Sequence, residues 1–192
     1  MPVSRTAALP RTDPYVNRGP MQAVAAFGQL CLVTVFIWSG VQKARDLRAF
    51  RRHLTATVPR LGRFSGALAA AVPAVEWSAA GLLLLRPSEW AGYFVAAVLL
   101  GVFTLYLIGL LRSNPAASCG CAGADDTPVS GAHVVRNLLL LVICALTWWA
   151  AARSAGPALS EYAVVAAPAA VFGVTLLHLG ELASLFRTTP VT

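Results

Sequence analysis

Two thiols separated by one glycine, Cys119-Gly120-Cys121, sit in a polar stretch between two long apolar runs, and Gly123 follows closely. A disulfide across so small a ring departs from relaxed geometry and is easier to reduce. The short loop it closes also contributes little chain-entropy stabilisation. Such a pair suits thiol exchange better than structural stapling. Arg112 and Arg136 flank the stretch, and nearby positive charge favours the thiolate, which is the nucleophilic form. Metal ligation is the runner-up. Asp125, Asp126 and His133 lie downstream and thiolates suit zinc or copper(I), but the spacing matches none of the common structural zinc patterns. Loop cysteines without chemistry are the plain alternative, and no metal site is assigned.

The other candidate groups lie within or beside apolar runs. Glu76 falls near the middle of one. A carboxylate at mid-bilayer costs roughly 2.5–3.5 kcal/mol on insertion scales. It should therefore face the interior of a bundle, be protonated, or pair with a basic group such as Arg136 or Lys43. Proton handling is the functional reading, and a hydrogen bond to a neighbouring helix is the structural one. Arg136 and Asn137 open a later apolar run, placed to order the cysteine loop or to bind a lipid headgroup. Cys31 and Cys144 lie inside apolar runs, where cysteine is usually a small packing residue; a relay role is the alternative. His178 and Glu181 read as an end-of-helix polar pair rather than a ligand set.

The elements that must position these groups follow from composition. The chain has 192 residues, of which 57% are hydrophobic and 12% charged, and its mean hydropathy is +0.68. Soluble domains carry about 25% charged residues, so polar side chains are too few to cover a water-facing exterior. This identifies an integral membrane protein. The net charge of +7 does not point to nucleic acid, because the basic residues cluster beside apolar runs, where anionic headgroups would meet them.

Residues 1–20 hold four prolines and three arginines and read as a flexible tail. Residues 21–187 read as a single transmembrane domain with spans at about 21–42, 65–85, 90–111, 133–152 and 161–183, each long enough to cross the hydrocarbon. Pro168 should kink the last. Trp38 and Lys43 close the first span, with the lysine reaching for headgroups. Beyond it Leu47, Phe50 and Leu54 alternate with Arg45, Arg48, Arg51 and Arg52, the pattern of an amphipathic helix in the headgroup plane. Five spans put five basic residues on one side of the membrane and ten on the side of the cysteine loop. The positive-inside rule would make the loop side cytoplasmic.

Ser39-Gly40-Val41-Gln42-Lys43, Asp46-Leu47-Arg48-Ala49-Phe50, Pro59, Pro73-Ala74-Val75-Glu76 and Gly81 through Leu85 together resemble the MauE/DoxX group of membrane proteins. Phe103-Thr104, Cys119-Gly120-Cys121-Ala122-Gly123 and Val135 through Leu140 point to MauE in particular. The resemblance covers roughly residues 29–152. Relatives commonly carry phenylalanine where this chain has Ala122, a departure beside the thiols that leaves the thiols in place. The resemblance implies an all-α polytopic bundle, with a DoxX-like four-helix core and a fifth transmembrane helix. Cys119 and Cys121 would exchange disulfides with a thioredoxin-like or secreted partner, and Glu76 and Arg136 would assist. The family's named role lies in maturation of methylamine dehydrogenase, whose small subunit needs disulfides outside the cytoplasm. The layout of spans, interfacial helix and cysteine pair is also similar to vitamin K epoxide reductase. That analogy would place the loop on the outer face and suggest a quinone as electron acceptor. From another functional class comes a non-enzymatic membrane scaffold or assembly factor whose cysteines bind a metal or a partner. A small-molecule transporter, resting on Glu76 alone, is the weakest reading.

Overall fold

An apolar segment in lipid must satisfy its backbone N–H and C=O groups internally, and a helix does so within the segment. The computed structural model describes residues 19–85, 88–113, 130–154, 156–180 and 182, and its regular structure is helical throughout. Helix α1 spans Gly19–Arg45, α2 Leu47–Thr57, α3 Ser65–Leu84, α4 Glu89–Ser113, α5 Gly131–Arg153 and α6 Leu159–Leu177. A 3-10 helix, Pro59–Phe64, joins α2 to α3. Among the described residues, five helices are long and apolar enough to cross a bilayer: α1, α4, α5, α6, and α3 with the end of the 3-10 segment. The polytopic all-α bundle expected from the sequence is the observed architecture. Residues 1–18 of the N-terminal tail and the Cys119–Cys121 pair lie outside the described residues, while Gly19 and Pro20, read from the sequence as part of that tail, open α1.

Helix α1 is the hub. It packs against α3, α5 and α6, while α4 closes the bundle against α3 and α5. Cys31, Leu32, Val35 and Phe36 of α1 meet Ala79, Ala80 and Leu83 of α3, Tyr93, Ala96 and Leu100 of α4, Leu140 and Cys144 of α5, and Leu176 and Leu177 of α6 in one core. The outward faces stay apolar. Leu105, Val164 and Trp90 are 72%, 77% and 64% exposed, an exterior that suits lipid and would aggregate in water. Cys144 donates its thiol proton to the Tyr93 carbonyl at 3.5 Å, and Cys31 is also free and fully buried, as expected of packing cysteines.

Two polar details organise the helix ends. Asp46 breaks the path from α1 to α2 and caps α2, its carboxylate accepting from the Ala49 N–H at 2.8 Å. On α2, Phe50 is buried while Arg48, Arg51 and Arg52 are exposed, the arrangement of a helix lying on the bundle with its charges outward. At the head of α5, His133 Nδ1 accepts from the Ser130 N–H at 3.2 Å and satisfies one donor at that helix start.

The helices run past the spans read from hydropathy at most ends, because hydrogen bonding continues where the apolar run stops. Helix α3 matches its span to within a residue, and the last helix stops well short at its C-terminal end. Helix α6 ends at Leu177, so His178 caps it rather than sitting on its surface, and Glu181 lies outside the described residues.

Between α3 and α4 the backbones touch. A Cβ on Gly92 would stand 2.6 Å from the Leu83 backbone nitrogen and 2.9 Å from the Leu82 carbonyl carbon. Backbone atoms cannot yield as a side-chain tip can, and small residues are the means by which membrane helices approach this closely. Gly92→Ala should therefore destabilise the bundle by about 1–3 kcal/mol, read as a lower thermal midpoint of the purified protein in detergent. Gly101→Ala, on the same helix with no atom within 4 Å of the added carbon, should stay within about 0.5 kcal/mol of the parent.

Candidate functional site

The bundle interior holds a charged cluster where α1, α3 and α4 meet. Glu76 of α3 is 0% exposed and Lys43 of α1 is 3% exposed. The Lys43 ammonium donates to Glu76 Oε1 at 2.8 Å. Ser39, one turn before Lys43 on the same face of α1, donates to the same carboxylate oxygen at 3.0 Å and accepts from Lys43. Helical spacing explains the arrangement, because residues four apart lie one above the other and present hydroxyl and ammonium together. The Lys43 nitrogen lies 5.4 Å from the centroid of the Phe103 ring and 6.0 Å from that of Phe50. These aromatic faces add a favourable field around a desolvated cation. Gly40 lies beside the pair, and a Cβ there would run into the Trp77 indole, so α1 and α3 approach closely where the charges meet.

This geometry corrects one sequence expectation and selects among others. Lys43 does not reach for headgroups. It is buried and paired, because α1 continues as helix to Arg45 and carries the side chain inward. Of the two basic partners considered for Glu76, Lys43 forms the ion pair. Arg136 lies elsewhere in the interior, 3% exposed, donating from Nη1 to the Leu177 carbonyl at 3.2 Å and from Nη2 to Asn137 Oδ1 at 3.4 Å. It ties α5 to the end of α6 and does not face headgroups.

Arg136, Asn137, Lys43 and Glu76 all line one cavity of about 170 Å³. Its other walls are mostly apolar and include Phe36, Phe50, Leu68, Val72, Val102 and Phe103. Helix α2 forms part of the enclosure and is pinned to α4 by a short relay, of which His53 and Tyr106 line the cavity. Tyr106 donates its hydroxyl proton to Thr57 Oγ1 at 2.9 Å, and its oxygen accepts from His53 Nε2 at 2.9 Å. The roles of His53 and Tyr106 were not read from the sequence. The available signal was a tyrosine near the end of an apolar span and a histidine on the apolar side of an arginine-rich helix. Gln29 was missed too. Buried in α1, it donates to the Leu83 carbonyl and accepts from the Tyr162 hydroxyl, and an amide within an apolar span was the clue.

Cys119 and Cys121, like Asp125 and Asp126, lie outside the described residues. The segment that carries the cysteines connects Ser113, at the end of α4, to Ser130, just before α5. Those two helices pack against each other. Among the described residues, no group of three or more His, Cys, Asp or Glu side chains is arranged to hold a metal ion.

The buried pair predicts a clear mutational pattern. Removing one partner strands a charge in the interior and should cost about 3–5 kcal/mol. Lys43→Met and Glu76→Leu should each lower the thermal midpoint sharply. The double variant should recover most of the loss, because two apolar groups replace two charges. A double-mutant cycle on thermal unfolding in detergent checks this, and additive losses would count against the pairing.

No curated protein and no solved structure matches the chain. The profile of the family described as "Methylamine utilisation protein MauE" matches residues 21–150, from the start of α1 nearly to the end of α5. That match takes in the buried ion pair, the cysteine segment and every residue lining the cavity except Leu177, and the chain is a multi-pass membrane protein of the MauE family.

Proposed function

We propose that this protein is a membrane thiol–disulfide exchange protein whose reacting pair is Cys119 and Cys121, acting outside the cytoplasm on a thioredoxin-like or secreted partner. The observation that carries the reading is the spacing of the pair itself. One glycine between the thiols favours a strained, readily exchanged disulfide over a structural one. Membership of a family named for methylamine utilisation supports a maturation role without fixing the client.

In the exchange, a thiolate of the partner attacks one sulfur of the Cys119–Cys121 disulfide. A mixed disulfide forms and the other cysteine leaves as thiolate. The partner's second thiolate then attacks the mixed disulfide, so the partner departs oxidised and the Cys119–Cys121 pair is left as a dithiol. Two electrons have passed to the membrane protein. The bundle's part is positional: α4 and α5 pack together and hold both ends of the connection. Glu76 contributes by fixing α1 to α3 and Arg136 by fixing α5 to α6.

Differential alkylation with and without reductant, read by mass spectrometry on protein from growing cells, tests the pair. The expected result is a reversible Cys119–Cys121 disulfide in a substantial fraction of molecules, and a mixed disulfide with a partner when either cysteine is replaced by serine. If both thiols are alkylated without reductant under all conditions, the exchange reading fails and a scaffold or assembly role takes its place.

A further inference from the structure

We infer that the cavity beside the Lys43–Glu76 pair is a binding site for the ring of a membrane-dissolved quinone, with Asn137 Nδ2 and Arg136 Nε as donors to a ring carbonyl. The assignment begins with those two atoms. Both are buried nitrogen donors with no hydrogen-bond acceptor in the protein, and both residues are 3% exposed and line the cavity. A buried donor without a partner is costly and uncommon in folded proteins. Since both are donors, the group that completes them is an acceptor. A cation or a molecule offering only donors does not fit.

Size and wall chemistry narrow the acceptor. The cavity holds about 170 Å³, and an apolar protein cavity of about 150 Å³ takes up one benzene ring. Phe36, Phe50, Phe103 and Tyr106 contribute aromatic walls, which favour a planar ring packed offset or edge-on against them. Few polar groups in a mostly apolar lining are what fix the orientation of a small ligand. Access from the bilayer is consistent with the lining, since Val102 borders the cavity and is 56% exposed on the outer face of α4.

Charge points the same way. Lys43 and Glu76 neutralise each other, whereas Arg136 meets only the neutral oxygens of Leu177 and Asn137. The Leu177 carbonyl ends α6, where the helix dipole offsets part of the guanidinium charge. The remaining positive field favours a ring oxygen that bears partial negative charge. Occupation of this site does not depend on the thiol reading.

The test uses the full chain with Cys119→Ser and Cys121→Ser, reconstituted in zwitterionic lipid nanodiscs and titrated with decylubiquinone; bound quinone is extracted and quantified against empty nanodiscs. Saturable binding at one site per chain is expected. Asn137→Leu should weaken it at least tenfold. Val102→Trp, which fills the cavity from the outer face of α4 and leaves the polar groups alone, should abolish it. Each variant is compared by elution profile and thermal midpoint so that loss of fold is not read as loss of binding. Absence of saturable binding, or binding unchanged in both variants, overturns the assignment. So does an Arg136-dependent site that takes oleate in preference to the quinone, because that outcome makes the ligand a carboxylate. Thiol exchange that fails while quinone still binds would overturn only the preceding proposal.

Discussion

A carboxylate in the middle of an apolar helix has to be neutralised inside the protein, and the rest of this bundle is arranged around how that is done. Glu76 takes an ammonium and a hydroxyl from consecutive turns of α1. The solution requires α1 and α3 to lie close, and Gly40 against Trp77 permits it. It requires aromatic cover for the desolvated lysine, and Phe103 of α4 and Phe50 of α2 supply it. The interfacial helix is thus held down by the same charge that holds two spans together. Its second tie, through His53, Tyr106 and Thr57, closes one side of the cavity.

The interior polar groups divide into two sets with different needs. The Lys43–Glu76–Ser39 cluster is balanced in charge. Arg136 and Asn137 are only partly satisfied by each other and by the end of α6, leaving two donors directed to nothing in the protein. Interior polar groups in a membrane protein are expensive and commonly mark function. A balanced cluster is adequately explained by structure, whereas unsatisfied donors beside a ring-sized cavity call for a ligand. The cysteine pair, carried on the connection between α4 and α5, would then be served by a bundle that is rigid where α1 meets α3 and receptive where α5 borders the cavity.

Much of this was legible in the sequence, for identifiable reasons. Runs of about twenty apolar residues allow little but a helix in lipid, so the five spans could be placed. A lone carboxylate among them had to be paired, so Glu76 and its two candidate partners were visible. Lys43 was misread because a lysine near a helix end looks the same from sequence whether it snorkels outward or turns inward. Only the continuation of α1 to Arg45 and the approach of α3 decide between these. The same ambiguity weakens the charge count across the membrane. Two of the ten basic residues assigned to the loop side, Lys43 and Arg136, are buried in the bundle and offer headgroups nothing. The cavity was not legible at all, since it depends on which faces of five helices converge and on where α2 lies down.

The proposed exchange requires Cys119 and Cys121 to be within reach of an extracytoplasmic partner, against the simple count of positive charges. Labelling intact cells with a membrane-impermeant thiol reagent after mild reduction tests this most directly, with Cys31 and Cys144 as buried internal references. The account predicts that Cys119 and Cys121 are modified from outside without permeabilisation. Modification only after the membrane is opened would place the pair in the cytoplasm and contradict it.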